Sequence, residues 1–123
     1  MPARKVRTPS PLSRPLNEIK ADLFKALAHP ARIRVLEVLS TGPRTVSELQ
    51  PLVEVESSHL SHQLSILRGA GLVVTRKEGT TVIYSLRDRL VAELLAVAKR
   101  LLVTTLAEKR DLLDELTAEL TTR

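Results

Sequence analysis

Seven side chains between Ser57 and Ser65 can donate or accept a hydrogen bond, and none is an acid. They are Ser57, Ser58, His59, Ser61, His62, Gln63 and Ser65, all short, neutral and polar. Leu60, Leu64 and Leu67 recur among them at helical spacing, with Ile66 beside the stripe. Residues 56–69 therefore read as one helix with an apolar and a polar face. An ordinary surface helix carries Glu and Lys on its outer face. A face without acids can lie against a polyanion, and small polar tips fit the major groove of duplex DNA to reach base edges. Gly69 and Gly71 end the helix, glycine suiting the left-handed position after a helix C-terminus. By itself the stretch also fits a serine-rich, half-exposed helix of a small bundle, so its flanks decide.

The chain has three histidines, His29, His59 and His62, and no cysteine. Disulfides and thiolate metal sites are excluded. His59 and His62 stand at i,i+3, and imidazole suits nickel or zinc. Two ligands without a carboxylate at helical spacing are too few for a firm site, so no cofactor is assigned. His29 precedes Pro30 and reads as a cap or packing residue. Enzyme chemistry finds no support: there is no Cys nucleophile, no His with a placed carboxylate partner and no Gly-rich phosphate loop. Serine and histidine on one helix face make no nucleophile without an orienting acid and an oxyanion site. With only Phe24 and Tyr84 as aromatics, the core must be aliphatic. The chain also lacks the aromatic platform on which single-stranded nucleic acid stacks.

Net charge is +5 over 123 residues, and its distribution is informative. Residues 1–20 hold Arg4, Lys5, Arg7, Arg14 and Lys20 against Glu18, which is +4. Arg68, Arg76, Lys77, Arg87 and Arg89 outnumber Glu78 and Asp88 just after the polar helix. Basic charge thus gathers at the N-terminal tail and beside the polar face, the footprint of a polyanion binder. Residues 1–15 contain Pro2, Pro9, Pro11 and Pro15 and read as a flexible basic arm. Such an arm could follow phosphates or serve only as a solubilising tail. No apolar run approaches the roughly 20 residues of a membrane span, and no secretory signal is visible. The default expectation is a soluble cytoplasmic protein with no membrane partner.

The remaining elements follow in order. A first helix spans about 17–28 with Asn17 as N-cap, and Leu16, Ile19, Leu23, Phe24 and Leu27 share its face. A second begins at Pro30, with Ile33, Leu36 and Leu39 inward and Arg32, Arg34 and Glu37 outward. Thr45-Val46-Ser47-Glu48 is a capping box opening a short third helix to about Leu52. Residues 53–55 turn the chain into the polar helix, giving a helix-turn-helix. Two β-branched runs, 72–76 and 81–86, flank a Gly79 turn and form a hairpin, with residues 75–84 as a basic wing. Its tip carries Arg76 and Lys77, which can rest on phosphates flanking the groove. Asp88 caps a last helix reaching about 121, roughly 50 Å long. A domain spanning residues 16–87 cannot cover so long an apolar helix. The excess meets a second copy, with residues 88–123 and the first helix as the dimerisation region. Leu16, Ile19, Leu23, Leu94, Ala98, Leu101, Leu102, Leu113 and Leu116 are the expected interface. A break near Thr104-Thr105 is the alternative. The fold class is mainly α with a small β-hairpin, a winged helix-turn-helix in the order α-α-α-α-β-β-α.

In this order the pieces resemble the ArsR–SmtB family of winged-helix transcriptional regulators. The resemblance rests on residues 27–36 (L-A-H-P-A-R-I-R-V-L), 46–49 (V-S-E-L), 60–68 (L-S-H-Q-L-S-I-L-R), 69–73 (G-A-G-L-V) and the 79–86 wing, and covers roughly 17–105. It implies a homodimeric repressor that binds double-stranded DNA at an inverted-repeat operator and releases it on sensing an effector or partner protein. It also implies that Ser57, Ser58, His59, Ser61, His62 and Gln63 face the groove, while Arg76, Lys77 and Thr80 fall on the wing. Many members sense metals through Cys in the third helix or through His and acids on the last one; this chain has neither set. The rival readings are a protein-binding winged helix, kept open by the +1 charge of residues 21–123, and a nickel- or zinc-responsive regulator with a non-standard site.

Overall fold

A computed structural model describes residues 15–121. Its elements are α1 (Leu16–Leu27), α2 (Pro30–Leu39), β1 (Arg44–Thr45), α3 (Val46–Val53), α4 (Ser57–Gly69), β2 (Val73–Glu78), β3 (Thr81–Leu86) and α5 (Arg89–Thr121). The expected basic arm falls at residues 1–15, nearly all of it outside the described residues.

Local chemistry sets several helix starts. His29 caps α2 by accepting the Ala31 N–H at Nδ1, 3.1 Å away, and Pro30 fills the first helical position. Thr45 and Glu48 form the full capping box of α3, at 3.2 and 3.0 Å. The Thr45 amide and hydroxyl hold the Glu48 carboxyl below the ordinary glutamate range. This contribution is therefore complete above that range and fades as pH falls through the lowered value. Asp88 accepts the Leu90 N–H at 2.8 Å and starts α5. At α1 the expectation fails: Pro15, not Asn17, is the N-cap, and no side chain caps the helix. The extended Pro15 offers its carbonyl to Glu18 and Ile19, which leaves Asn17 inside the first turn.

The core is aliphatic. Val35 and Leu36 of α2, Leu49 of α3, Leu60, Leu64 and Leu67 of α4, and Val73 of β2 are fully buried. Ile33, expected inward, is over a third exposed. It lines a cleft of about 440 Å³ with Leu95 and Leu102 of α5, while Val35 takes the core position. Arg32, expected in solvent, is half-buried, and its guanidinium donates to the Lys25 and Ala26 carbonyls, tying α2 to the end of α1.

The wing is larger than a hairpin. β1 pairs antiparallel with β3, Arg44 opposite Tyr84 and Thr45 opposite Ile83, so the sheet runs β1-β3-β2. This strand is an addition to the predicted order. It gives the hairpin a third strand that leads directly into the α3 cap, which anchors a ribbon that is marginal by itself. The turn is two residues, and Gly79 has the positive φ (63°) that primed hairpin turns need at their first position.

α5 is continuous through Thr104 and Thr105, whose hydroxyls donate to the Arg100 and Leu101 carbonyls. Such back-bonding satisfies the polar groups without breaking the helix. Its outer two-thirds is uncovered: Leu101, Leu102, Leu106, Leu113, Leu116 and Leu120 are exposed, as are Leu16, Ile19 and Phe24 of α1. No described helix is long and apolar enough to cross a membrane.

Two backbone bonds close α4, Gly71 N–H to the Arg68 carbonyl and Leu72 N–H to the Leu67 carbonyl. That pair, with Gly71 at φ 77° and Leu67 and Leu72 buried, is a Schellman stop. No atom lies within 4 Å of a Cβ built at Gly71, so only the backbone resists a side chain there. Gly71→Ala should lower stability by about 1 kcal/mol in urea unfolding, with little change in fold.

Candidate nucleic-acid interface

The inward leucines set the rotation of α4. With Leu60, Leu64 and Leu67 buried, helical geometry turns Ser58, His62 and Ser65 directly outward at i, i+4 and i+7. Ser61 and His59 flank that row, and all five are exposed. No acid lies within α4. Arg68 stands exposed in its last turn.

Two expected members of this face are placed otherwise. Gln63 is buried at 3 % exposure and does not face solvent. The cause is visible in the sequence: from Leu60, the template i, i+3, i+4, i+7 gives 63, 64 and 67 as one stripe. Ser57 is exposed, but its hydroxyl donates to Gln50 Oε1 at 2.6 Å, and Gln50 Nε2 reaches the Val55 carbonyl at 3.4 Å. Gln50 thus clips α3 to the start of α4 across the turn. Sequence reasoning missed it, because a glutamine within a helix reads as a solvent residue. Arg34 donates to the Leu52 carbonyl at 3.1 Å and braces α3 from the α2 side.

The turn itself adds charge of the opposite sign. Glu54 adopts the left-handed conformation, φ 54°, as the C-cap of α3, and Glu56 is the N-cap of α4. Both stand at the leading edge of the otherwise acid-free face, and both are exposed. A carboxylate there repels phosphate, yet it can accept from the exocyclic amine of cytosine.

On the wing, Arg76, Lys77 and Thr80 lie near the tip, where Lys77 and Thr80 are exposed and the Arg76 side chain is 59% exposed. Successive strand residues point to opposite faces, so Arg76 and Lys77 project from different sides of the ribbon. Arg76 shares its side with Glu78, and the two form a solvent-facing ion pair at 3.3 Å.

His29 and His59 lie with ring centroids 5.8 Å apart, so His59 leans toward α2. Among the described residues no group of three or more His, Asp or Glu is arranged to hold a metal ion.

Residues 29–75 match the model of the family described as bacterial regulatory protein, arsR family. The uncharacterized HTH-type transcriptional regulator Rv0081 of Mycobacterium tuberculosis is 49% identical over 107 residues, covering 86% of this chain and 94% of that one. The crystal structure of Rv0081 superposes with a TM-score of 0.74 at 50% identity, covering 79% of this chain and 98% of that one. The biofilm growth-associated repressor of Agrobacterium fabrum is 40% identical over 75 residues, covering 61% and 64%. The homodimeric winged helix-turn-helix DNA-binding domain Mb0332 of Mycobacterium bovis, described as a possible ArsR-family regulator, superposes at a TM-score of 0.69. It is 30% identical over 76% of this chain and 86% of that one.

Glu78 offsets part of the positive charge that Arg76 would offer a polyanion. Glu78→Gln should tighten binding to arbitrary duplex roughly twofold to fivefold at low salt, fading as salt rises. Fluorescence anisotropy across a salt series reads this directly.

Proposed function

Because the chain belongs to the arsR family of bacterial regulatory proteins, we propose that it acts as a homodimer on an operator of inverted-repeat symmetry. It is a winged-helix, DNA-binding regulator of transcription, and repressors are among its relatives. In this reading residues 16–87 form the DNA-binding unit. Residues 88–123, with α1, join the two copies. Ser58, Ser61, His62 and Ser65 of α4 meet base edges in the major groove, with His59 at the flank. Arg76, Lys77 and Thr80 rest on phosphates beside it. Repression is the direction proposed.

The observation that carries this reading is the exposed, acid-free row on a helix whose opposite side is wholly buried. Rigid presentation is what base reading requires, since each wrong base costs only about 1–3 kcal/mol and a loose helix would average that away. The dimer is supported by the apolar surface of α5. Leu102, Leu106, Leu113, Leu116 and Leu120 recur at spacings of three, four and seven, as in a helix seam. All are more than half exposed in the single chain. Leu23 and Leu94, also expected at the interface, already pack partly on the chain's own core. Their share of the surface between copies is therefore smaller than that of Leu16, Ile19, Leu101, Leu102, Leu113 and Leu116. Ala98 is exposed beside them.

Selection of bound fragments from genomic DNA tests the reading, and inverted-repeat sites are expected. On such a site, Arg76→Ala with Lys77→Ala should weaken all sequences alike. The salt dependence should flatten by roughly one unit for each phosphate no longer neutralised. Ser61→Ala should instead change the preferred sequence. Wing and helix variants that behave identically would contradict this division. Leu113→Glu with Leu116→Glu should halve the mass in sedimentation while helix content by circular dichroism stays nearly constant. An unchanged mass would place the interface elsewhere.

A further inference from the structure

On α4, the buried Gln63 sits one turn after the exposed His59, and its Nε2 is 3.4 Å from His59 Nε2. The His59 ring also lies against the His29 ring, 5.8 Å away and tilted by 53°. An imidazole at the edge of the outward row therefore has a fixed neighbour on two sides.

The protons follow from which atoms are left without partners. Gln63 can meet His59 Nε2 with either end of its amide. With Gln63 Nε2 as donor, the atom buried without a partner is Oε1. Reversing the amide would leave both N–H donors of a buried NH₂ group unmatched, in place of one N–H and the Oε1 acceptor, and a buried nitrogen with no partner at all is the rarer case. The donor arrangement wins, and His59 Nε2 must then be bare, leaving the ring proton on Nδ1.

We propose that Gln63 is a positioning residue that acts through His59, holding its ring as an Nδ1–H donor that reads one base pair. A lone donor selects an acceptor edge. Guanine offers two adjacent acceptors, N7 and O6, in the major groove, whereas thymine offers only O4 beside its methyl group, adenine sets an amine beside its N7, and cytosine presents an amine alone. His59 therefore prefers guanine. The assignment rests on the DNA-binding reading above and adds to it that the flanking His59 also carries specificity, and what fixes it.

Two measurements on the full chain test this. Ring ¹⁵N spectra of the free protein at about pH 8, above the ordinary imidazole range, should show His59 as a single Nδ1–H tautomer. In Gln63→Met, which keeps the volume and removes the amide, the ring should average between tautomers. Selection from random duplexes should show His59→Ala and Gln63→Met losing guanine preference at the same base pair, by roughly tenfold, with other positions intact. A tautomer mixture in the unaltered protein overturns the proposal, and that spectrum needs no variant to fold. So does a Gln63→Met chain that folds and keeps its guanine preference. If the unaltered protein selects no sequence while its His59 ring is fixed, the clamp stands but the reader role, and the DNA reading with it, is overturned.

Discussion

The burial of one leucine stripe on α4 governs this molecule. Leu60, Leu64 and Leu67 leave no freedom for the helix to rotate, because they are enclosed by Val35, Leu36 and Leu39 of α2 and Leu49 of α3. Once that side is inward, Ser58, His62 and Ser65 must be outward. The hydrogen bonds around the stripe fix the axial position as well. Gln50 joins the two helices across the Glu54 turn, and the Schellman stop at Gly71 sets where the chain leaves for the sheet. A burial of this kind is non-directional in itself; direction comes from the clips at each end.

The other half of the molecule makes the opposite statement. α5 continues for 33 residues, but the chain's own domain covers only its beginning, where Val91 is buried and Leu94 and Leu95 pack on the core. Beyond Ala98 the leucines are all more than half exposed. An apolar surface of that extent is what the proposed contact between copies would cover. The fold thus divides its apolar residues between two tasks. The stripe on α4 and α2 makes a rigid unit, and the strip on α5 and α1 is left uncovered in the single chain.

Much of this was legible in the sequence because the signals are local. The Thr45–Glu48 box, the cap at His29, the Asp88 start and the Gly79 turn each lie within four residues of the groups they bind. What was missed depends on distant contacts. β1 is two residues long and exists only because β3 lies beside it; no periodicity can announce it. Ile33 and Arg32 exchange the roles expected of them because α1 ends over Arg32, while α5 leaves a cleft at Ile33. Gln63 is a different kind of miss. Its position in the leucine stripe was readable, but polar residue type outweighed spacing, and the spacing was right.

In the proposed dimer two α4 helices, one from each copy, face the same side of a duplex about one turn apart. The absence of cysteine makes a direct measurement clean, since one introduced thiol takes one label. Ala70→Cys carrying a nitroxide, at the exposed C-cap of α4 and outside the residues assigned to base contact, bound to selected duplex DNA, should give by pulsed dipolar spectroscopy a single distance near one helical turn, about 34 Å with allowance for the helix length and the tethers. Absence of dipolar coupling, or a distance far from that value, would contradict the account.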